Sequence, residues 1–189
     1  MPRIADPKLE ERILKAARKL WIKGGEQALT MREVAKAART TTPTVYQRFR
    51  SRRAILQALC LQTRQKLFLL LKESTSAREA CELYLSFAEK HPREYELLVV
   101  GWVEAPSKTQ QWPSFTLLKE RMSQRFGGRP EDHQRVALAM WSLLHGTAML
   151  IIFGKKRWAL KPALRDACMH AIEALGMPPM SAEARSHQN

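Results

Sequence analysis

The sequence predicts an all-α protein: an N-terminal unit of three helices, then a larger helical domain, with about nine helices in all. Apolar residues recur three and four positions apart along most of the chain, which is the period of a helix with one buried face. Residues that favour helix ends stand at the borders of these segments. No stretch shows a convincing two-residue alternation of the kind that strands have.

Charge distinguishes the two parts. The 189 residues carry a formal net charge of +14 with a pI near 10.2, which favours a polyanionic partner, nucleic acid before an anionic membrane. Residues 1–56 hold 14 Lys and Arg against 5 Asp and Glu, whereas the other 133 residues hold 18 against 13. We expect a DNA-binding unit at 1–52, a second domain at 53–176, and a disordered tail at 177–189.

The first helix is predicted to begin at Asp6 and Pro7, because Asp favours the N-cap and Pro the first helical position. Apolar residues from Leu9 onward lie on one face, and basic residues cover much of the rest. Gly24 and Gly25 are expected to end the helix, since glycine favours the position after a helix C-terminus.

Residues 30–53 are predicted to form two short helices, a tight turn and the start of a further helix. Thr30 and Glu33 make a capping box, in which the hydroxyl accepts from the Glu33 N–H and the carboxylate reaches back to the Thr30 N–H. Thr41 is the expected N-cap of the second helix, and Pro43 is tolerated in its first turn. Four-residue spacing turns Val45 and Phe49 inward.

Small polar side chains on the outer face of the second helix, followed by four arginines, suit a DNA major groove. Arginines neutralise phosphates, while hydroxyl and amide groups contact base edges. A short helical hairpin with a solvated charged face would show the same pattern, so that alternative stays open here. The candidate DNA contacts are Thr30, Thr41, Thr42, Thr44, Tyr46, Gln47, Arg48, Arg50, Arg52 and Arg53.

This stretch resembles the helix-turn-helix of TetR-type (tetracycline-repressor-like) transcriptional regulators. The resemblance covers about residues 8–60, and the rest of the chain matches more loosely, by helix count and order. Arg39 departs from the family pattern, which usually has Gly in the turn; a left-handed backbone there would cost Arg about 1 kcal/mol. The matching residues are Thr30, Ala35, Ala38, Thr41, Thr44, Val45, Tyr46, Phe49, Ser51 and Arg52.

Six further helices are predicted. Ser51 caps a helix that reaches Lys72 and connects the two parts, and Ser76 with Glu79 forms a second capping box. The helix that begins at Ser76 is predicted to end before His91 and Pro92, because the residue before Pro avoids helical geometry. The predicted ranges are 51–72, 76–90, 93–104, 114–126, 130–153 and 162–175.

Residues 136–153 are apolar nearly all round, which indicates burial from two sides. Gly146 within this helix suggests a close helix crossing. Helices 130–153 and 162–175 therefore suit a homodimer interface, a four-helix bundle made with a second copy. A two-fold dimer would place two recognition helices about 34–36 Å apart, on successive major grooves of an inverted repeat.

The resemblance implies that the second domain binds a small molecule that changes the spacing of the DNA-binding units, usually to end repression. Large apolar side chains on successive helices would suit an apolar or cationic effector, although ordinary core packing gives the same pattern. His145 is the polar group among them. The candidate pocket residues are Phe87, Tyr95, Val99, Trp102, Phe115, Leu118, Met122, Trp141, Leu144, His145 and Met149.

Other classes of protein fit less well. The five histidines show no metal-ligand spacing and no phosphate loop or nucleophile motif occurs, so we expect neither an enzyme nor a metal or cofactor. A non-specific architectural DNA or RNA binder would share the charge but needs no second domain. Cys60, Cys81 and Cys168 are too dispersed for a disulfide framework and are expected to be buried thiols in a cytoplasmic protein. No apolar run is expected to be long enough to span a bilayer.

Overall fold

The computed structural model of the chain describes residues 7–103, 112–154 and 158–175, and the regular structure in these ranges is helical, as predicted. The predicted tail, 177–189, lies outside them. Two short 3-10 segments, Pro130–His133 and Trp158–Leu160, precede the last two helices. The α-helices are α1 (Pro7–Ala28), α2 (Met31–Ala37), α3 (Thr42–Arg48), α4 (Arg52–Lys72), α5 (Ala77–Lys90), α6 (Pro92–Val103), α7 (Pro113–Phe126), α8 (Gln134–Phe153) and α9 (Lys161–Leu175).

Helix α1 extends further than the sequence suggested. Gly25 interrupts it with a φ of 62°, a left-handed conformation that glycine adopts at little cost. Helical geometry then resumes and continues to Ala28. The glycine pair therefore produces a kink, three residues before the helix ends.

Contacts divide the chain into two compact units. The first comprises the described residues of Met1–Lys66 and His91–Gln110, and the second those of Leu67–Lys90 and Gln111–Asn189. Helix α6 thus belongs to the same unit as the helix-turn-helix and packs against α1, which the sequence analysis did not predict. The predicted boundary between residues 52 and 53 follows the DNA-binding motif and stays a prediction.

The first unit has one apolar core. Ile13, Val34, Val45, Leu59 and Leu97, from five different helices, are completely buried in it. Each helix contributes one apolar stripe to this core, as its three- and four-residue spacing requires. The core holds α3 with its opposite face in solvent.

A buried carboxylate of α6 also holds this unit together. Glu94 Oε1 accepts a hydrogen bond from Arg18 Nη1 at 2.6 Å, and Glu94 Oε2 accepts one from Lys66 Nζ at 2.6 Å. Trp21 Nε1 donates to the backbone oxygen of Arg93 at 2.6 Å. Burial opposes the charged form of Glu94, but the hydrogen bonds and charges of Lys66 and Arg18 outweigh it, so the pKa of Glu94 is lowered.

The second unit is built around α5, which packs against α7, α8 and α9. Tyr84, Leu85 and Phe87 lie on its buried face. Arg165 of α9 donates to Ser86 Oγ at 3.1 Å and to Glu89 Oε1 at 3.2 Å, which fixes α9 against α5.

Helix α8 has two apolar faces, of which the described part of the chain covers one. Met140, Leu144 and Ile151 are buried. The prediction of a close crossing at Gly146 is wrong within the described chain, because a Cβ there would meet nothing within 4 Å. The large exposed side chains are Leu138, Leu143, Leu150 and Phe153.

The prediction that no apolar run could span a bilayer is wrong as well. The segment Pro130–Phe153 is long and apolar enough by length and composition, since its most apolar 18-residue window has a mean hydropathy of 1.9. A helix with one face in a protein core and the other in a helix–helix interface has the same composition. Composition therefore does not separate a membrane span from such an interface.

The three cysteines are buried and free, as predicted. Cys60 Sγ donates to the backbone oxygen of Leu97 at 2.9 Å. Burial, followed by the neighbouring Cys168 and Glu82, raises the pKa of Cys81 to about 12. The reactive thiolate of Cys81 is therefore scarce at neutral pH.

Candidate nucleic-acid interface

The first short helix, α2, begins at Thr30 as predicted. Thr30 Oγ1 accepts from the backbone N–H of Glu33 at 3.2 Å. The other half of the capping box is absent, because the Thr30 N–H donates to the backbone oxygen of Ala28 at 3.2 Å. Thr30 is exposed and lies at the N-terminal, positive end of α2, where a phosphate would be favoured.

The turn after α2 has the geometry that glycine favours, although Arg39 occupies it. Arg39 has a φ of 52°. Its N–H bonds the carbonyl of Lys36 at 3.2 Å, and the Thr40 N–H bonds the carbonyl of Ala35 at 3.0 Å. These two bonds form a Schellman motif with Arg39 at the left-handed position, so the expected steric cost of about 1 kcal/mol applies.

Helix α3 is capped by Thr41, as predicted. Thr41 Oγ1 accepts from the Thr44 N–H at 3.4 Å, and the two hydroxyls lie 2.8 Å apart, within hydrogen-bond distance. Pro43 occupies the first turn, where its missing N–H costs no hydrogen bond. The Thr44 hydroxyl thus supports the cap, a role that the sequence analysis did not anticipate.

The outer face of α3 carries the predicted groove contacts. Val45 and Phe49 are buried, which directs the opposite face outward. Tyr46 is 51% exposed and Gln47 is exposed, while Thr42 and Thr44 are half-buried. A short helix that presents hydroxyl and amide groups in this way has the chemistry to contact base edges.

The four predicted phosphate contacts are exposed but differ in their surroundings. Arg48 and Arg50 make no hydrogen bond or ion pair with the described part of the chain. Arg52, by contrast, pairs through Nη2 with Glu26 Oε1 at 2.7 Å, and Arg53 also has a partner. The Glu26 contact could not be predicted from the sequence, because 26 residues separate the two side chains.

In the second unit, one small apolar cavity brings together four of the predicted pocket residues. Tyr84 and Cys81 also line it, and its volume is about 30 Å³. That space holds about one or two water molecules, whereas small-molecule sites measure roughly 300–1,000 Å³. The four residues are Phe115, Leu118, Trp141 and Leu144.

Other predicted pocket residues lie elsewhere. Met122 lines a separate space of about 300 Å³, and Phe87 is buried in the face of α5. Tyr95 and Val99 belong to the first compact unit. The side chain of Trp102 lies outside the described part of the structure.

His145 stacks on Trp141 one helical turn away, with ring centroids 5.3 Å apart and planes at 12°. Burial lowers the pKa of His145, which favours the neutral imidazole. Met149, half-buried, follows one turn later on α8. The pocket assignment as a whole stays a prediction.

Comparison with known families assigns both parts of the chain. Residues 13–59 match the family described as bacterial regulatory proteins, tetR family. Residues 77–175 match the family described as tetracyclin repressor-like, C-terminal domain. No curated protein sequence matches the chain significantly.

Solved structures share the fold at low sequence identity. A protein with unknown function from Rhodococcus sp. RHA1 has a TM-score of 0.71 at 23% identity, with 94% of this chain and 100% of that chain covered. A TetR variant from Acinetobacter baumannii AYE, in complex with minocycline, gives 0.63 at 16% identity, covering 94% and 96%. FadR from Bacillus subtilis, in complex with stearoyl-CoA, gives 0.59 at 14% identity, covering 89% and 100%.

Proposed function

Because the chain belongs to the tetR family of bacterial regulatory proteins, we propose that it is a transcriptional repressor that binds a specific, palindromic sequence of double-stranded DNA. A small-molecule ligand would release it from this operator. Members of this family are generally DNA-binding regulators rather than enzymes. We assign it no catalytic role and place its action in the cytoplasm, where its operator would be accessible.

The outer face of α3 is the observation that supports this function best. The Thr41 cap and the buried Val45 fix the helix. The exposed Tyr46 and Gln47 and the half-buried Thr42 and Thr44 therefore stand at defined positions. Arg48 and Arg50 follow with no partner in the described chain, which leaves their charges available for phosphates. Fixed polar side chains provide base selection, and flanking cations provide affinity.

Dimerisation would follow from the second unit. The exposed stripe of α8 runs through Leu143, Gly146 and Leu150, which are three and four residues apart and so share one side of the helix. Covering this stripe with the same stripe of a second copy removes apolar area from water, and Gly146 permits a close approach there. A two-fold dimer would then contact an inverted repeat.

A ligand that binds beside Trp141 would need a change in the second unit, because the apolar cavity there is too small for most ligands as it stands. A small apolar or cationic molecule that enters beside Trp141, Phe115 and Leu144 would select a more open conformation. If that conformation binds DNA less well, linkage lowers the affinity for DNA by the same factor as DNA lowers the affinity for the ligand. Helix α4, which spans Arg52–Lys72, is our candidate for the connecting element.

The test of the proposed function is selection of genomic fragments from the source organism by the purified protein at near-physiological salt, followed by sequencing. A short inverted repeat beside a promoter should be enriched, and a variant lacking groove contacts, Tyr46→Ala with Gln47→Ala, should lose the enrichment. Binding without enrichment that disappears as salt rises would instead indicate a non-specific electrostatic binder.

Release is tested on the recovered fragment with a panel of small apolar and cationic molecules. A molecule that dissociates the complex and changes tryptophan fluorescence supports the two-state mechanism. A panel molecule that binds the protein but leaves its affinity for DNA unchanged would contradict the two-state mechanism for that molecule. A ligand with equal affinity for both conformations does not change their populations.

A further inference from the structure

A groove with a strongly basic rim lies between α1 and the end of α2. Ala16, Ala37 and Ala38 also line the groove, and its volume is about 290 Å³. None of its lining residues is acidic. The four cations around it are Arg12, Lys15, Lys19 and Arg39.

Three of the four cations of this groove have no hydrogen-bond or ion-pair partner within the described chain. Lys15, Lys19 and Arg39 are exposed and make no hydrogen bond or ion pair there. Like charges gathered around one small volume repel one another and attract a polyanion. The α1 cations run from Arg12 to Lys19, a rise of roughly 10 Å along the helix, whereas the phosphates of one DNA strand advance by roughly 3.4 Å each. The groove is therefore long enough to meet more than one phosphate.

The backbone of Arg39 provides a second, independent observation. Its φ of 52° at the end of a Schellman motif is the conformation for which glycine is the usual residue. Strained residues of this kind are frequent at functional sites. What Arg supplies at this position, and Gly cannot, is a guanidinium on the rim of the groove.

Arg39 also connects the groove to α3. It lies two residues before Thr41, the N-cap of that helix. We propose that this groove binds the phosphate backbone of duplex DNA beside the bases contacted by α3, with Arg39 as a phosphate-binding residue. This inference rests on the proposed function and adds a contact surface that the helix-turn-helix pattern does not contain.

The variant Arg39→Gly tests the inference, because its effects on stability and on binding have opposite signs. Glycine relieves the left-handed strain, so the thermal unfolding midpoint should rise by roughly 2–4 °C. A random-sequence duplex of about 30 base pairs should bind roughly threefold more weakly near 0.15 M salt, and the slope of log K against log salt should flatten by about 0.9. A residue with a structural role alone would change stability and leave the slope unaltered.

Two matched variants complete the experiment. Arg39→Lys keeps the charge and should keep the slope. Lys90→Ala removes an exposed charge from the second unit and should leave the slope unchanged. An unaltered slope in Arg39→Gly, or an equal change in Lys90→Ala, would overturn the inference.

A free polyphosphate carries the same phosphate groups as DNA and could also bind the groove. Calorimetry with inorganic tripolyphosphate distinguishes these two ligands. Tight binding of tripolyphosphate that depends on Arg39, with an unaltered DNA slope, would overturn the assignment to DNA. Because the duplex has a random sequence, this result does not depend on the operator. A flattened slope in Arg39→Gly without an enriched inverted repeat in the genomic selection would sustain the groove and reject the proposed function.

Discussion

Arg18 and Glu94 form an ion pair with 2.6 Å between Nη1 and Oε1, although 76 residues separate them in the sequence. The pair connects α1, which precedes the helix-turn-helix, with α6. Lys66 of α4 binds the other carboxylate oxygen at 2.6 Å. One carboxylate, whose side chain is 8% exposed, thus holds three helices of the DNA-binding unit together.

Replacing Glu94 with Gln should lower the free energy of unfolding by about 2 kcal/mol, because two cations lose a charged acceptor in a buried setting. Urea unfolding at neutral pH measures the change. Glu82→Gln, which weakens the exposed Arg78–Glu82 pair, is the matched control and should cost less than about 1 kcal/mol. Equal losses in the two variants would show that the Glu94 network contributes no more than a surface pair.

The stability that Glu94 provides should depend on pH in a defined direction. Its pKa lies below the ordinary value of 4.5, so the charged carboxylate stabilises the fold; this contribution is complete above the unfolded pKa and is lost as pH falls through the lowered one. The difference in unfolding free energy between the native chain and Glu94→Gln should stay constant down to about pH 5 and shrink below about pH 4. Urea titrations across this range measure it.

Both proteins in that experiment should carry His91→Gln, because His91 Nδ1 lies 3.5 Å from Glu94 Oε2. The pKa values of Glu79 and Asp132 are also lowered, chiefly by hydrogen bonds from the backbone N–H groups of Thr75 and Arg129. These two groups are present in both proteins, so their contributions cancel. A difference that grows on acidification would contradict the assignment.

Arg52 can act on DNA directly or through its contact with Glu26, and two substitutions separate these roles. Arg52→Ala should weaken binding to all duplexes alike and reduce the salt slope by about one unit. Glu26→Gln breaks the same ion pair but leaves the guanidinium in place, so binding should be kept or slightly strengthened if Arg52 contacts a phosphate. Weaker binding in both variants, measured by fluorescence anisotropy, would instead make Arg52 a positioning residue for α4.

Thr44 and Gln47 should determine sequence preference, but with different effects on the fold. Gln47→Ala should reduce affinity for the selected genomic fragment by roughly tenfold and leave random duplex unaffected, as expected for a lost base contact. Thr44→Ala should relax preference as well and lower stability by less than about 1 kcal/mol, because Thr41 loses its hydroxyl partner. Equal losses on both duplexes would contradict the base-contact role.

Leu150 tests the proposed dimer interface. It is 59% exposed in the single chain, so Leu150→Asp should leave the fold of one chain intact and convert dimers to monomers. Sedimentation velocity measures the assembly state. Leu69→Asp on α4, where Leu69 is 51% exposed, is the control and should remain dimeric. Dimers in both variants would place the interface elsewhere.

Local signals in the sequence predicted much of the fold. Thr30, Thr41 and Ser51 each cap the helix that they were expected to cap, with Ser51 Oγ accepting from the Ala54 N–H at 3.2 Å. Caps act over three residues, and burial of Val45 and Phe49 follows from helical spacing alone. The left-handed turn at Arg39 was suggested by the family resemblance, in which Gly usually occupies this position, and the φ of 52° agrees with it.

Contacts between distant parts of the chain could not be predicted in this way. The membership of α6 in the first unit, and of Tyr95 with it, depends on which helices meet, and so does the Arg52–Glu26 pair. Helical periodicity shows that a face is buried, but not what it is buried against. For this reason the pocket assignment stays a prediction, since core and ligand-binding side chains share the same spacing.

The sequence by itself determined the helices, their caps, the basic N-terminal unit and the polar face of α3, because these follow from interactions within three or four residues and from total charge. Only the tertiary structure decided that Glu94 joins α1, α4 and α6, that Arg39 meets the cations of α1 around one groove, and that the described residues leave one face of α8 uncovered. Such arrangements come from packing whole helices together, and the energy of that packing is spread over residues that no local pattern connects.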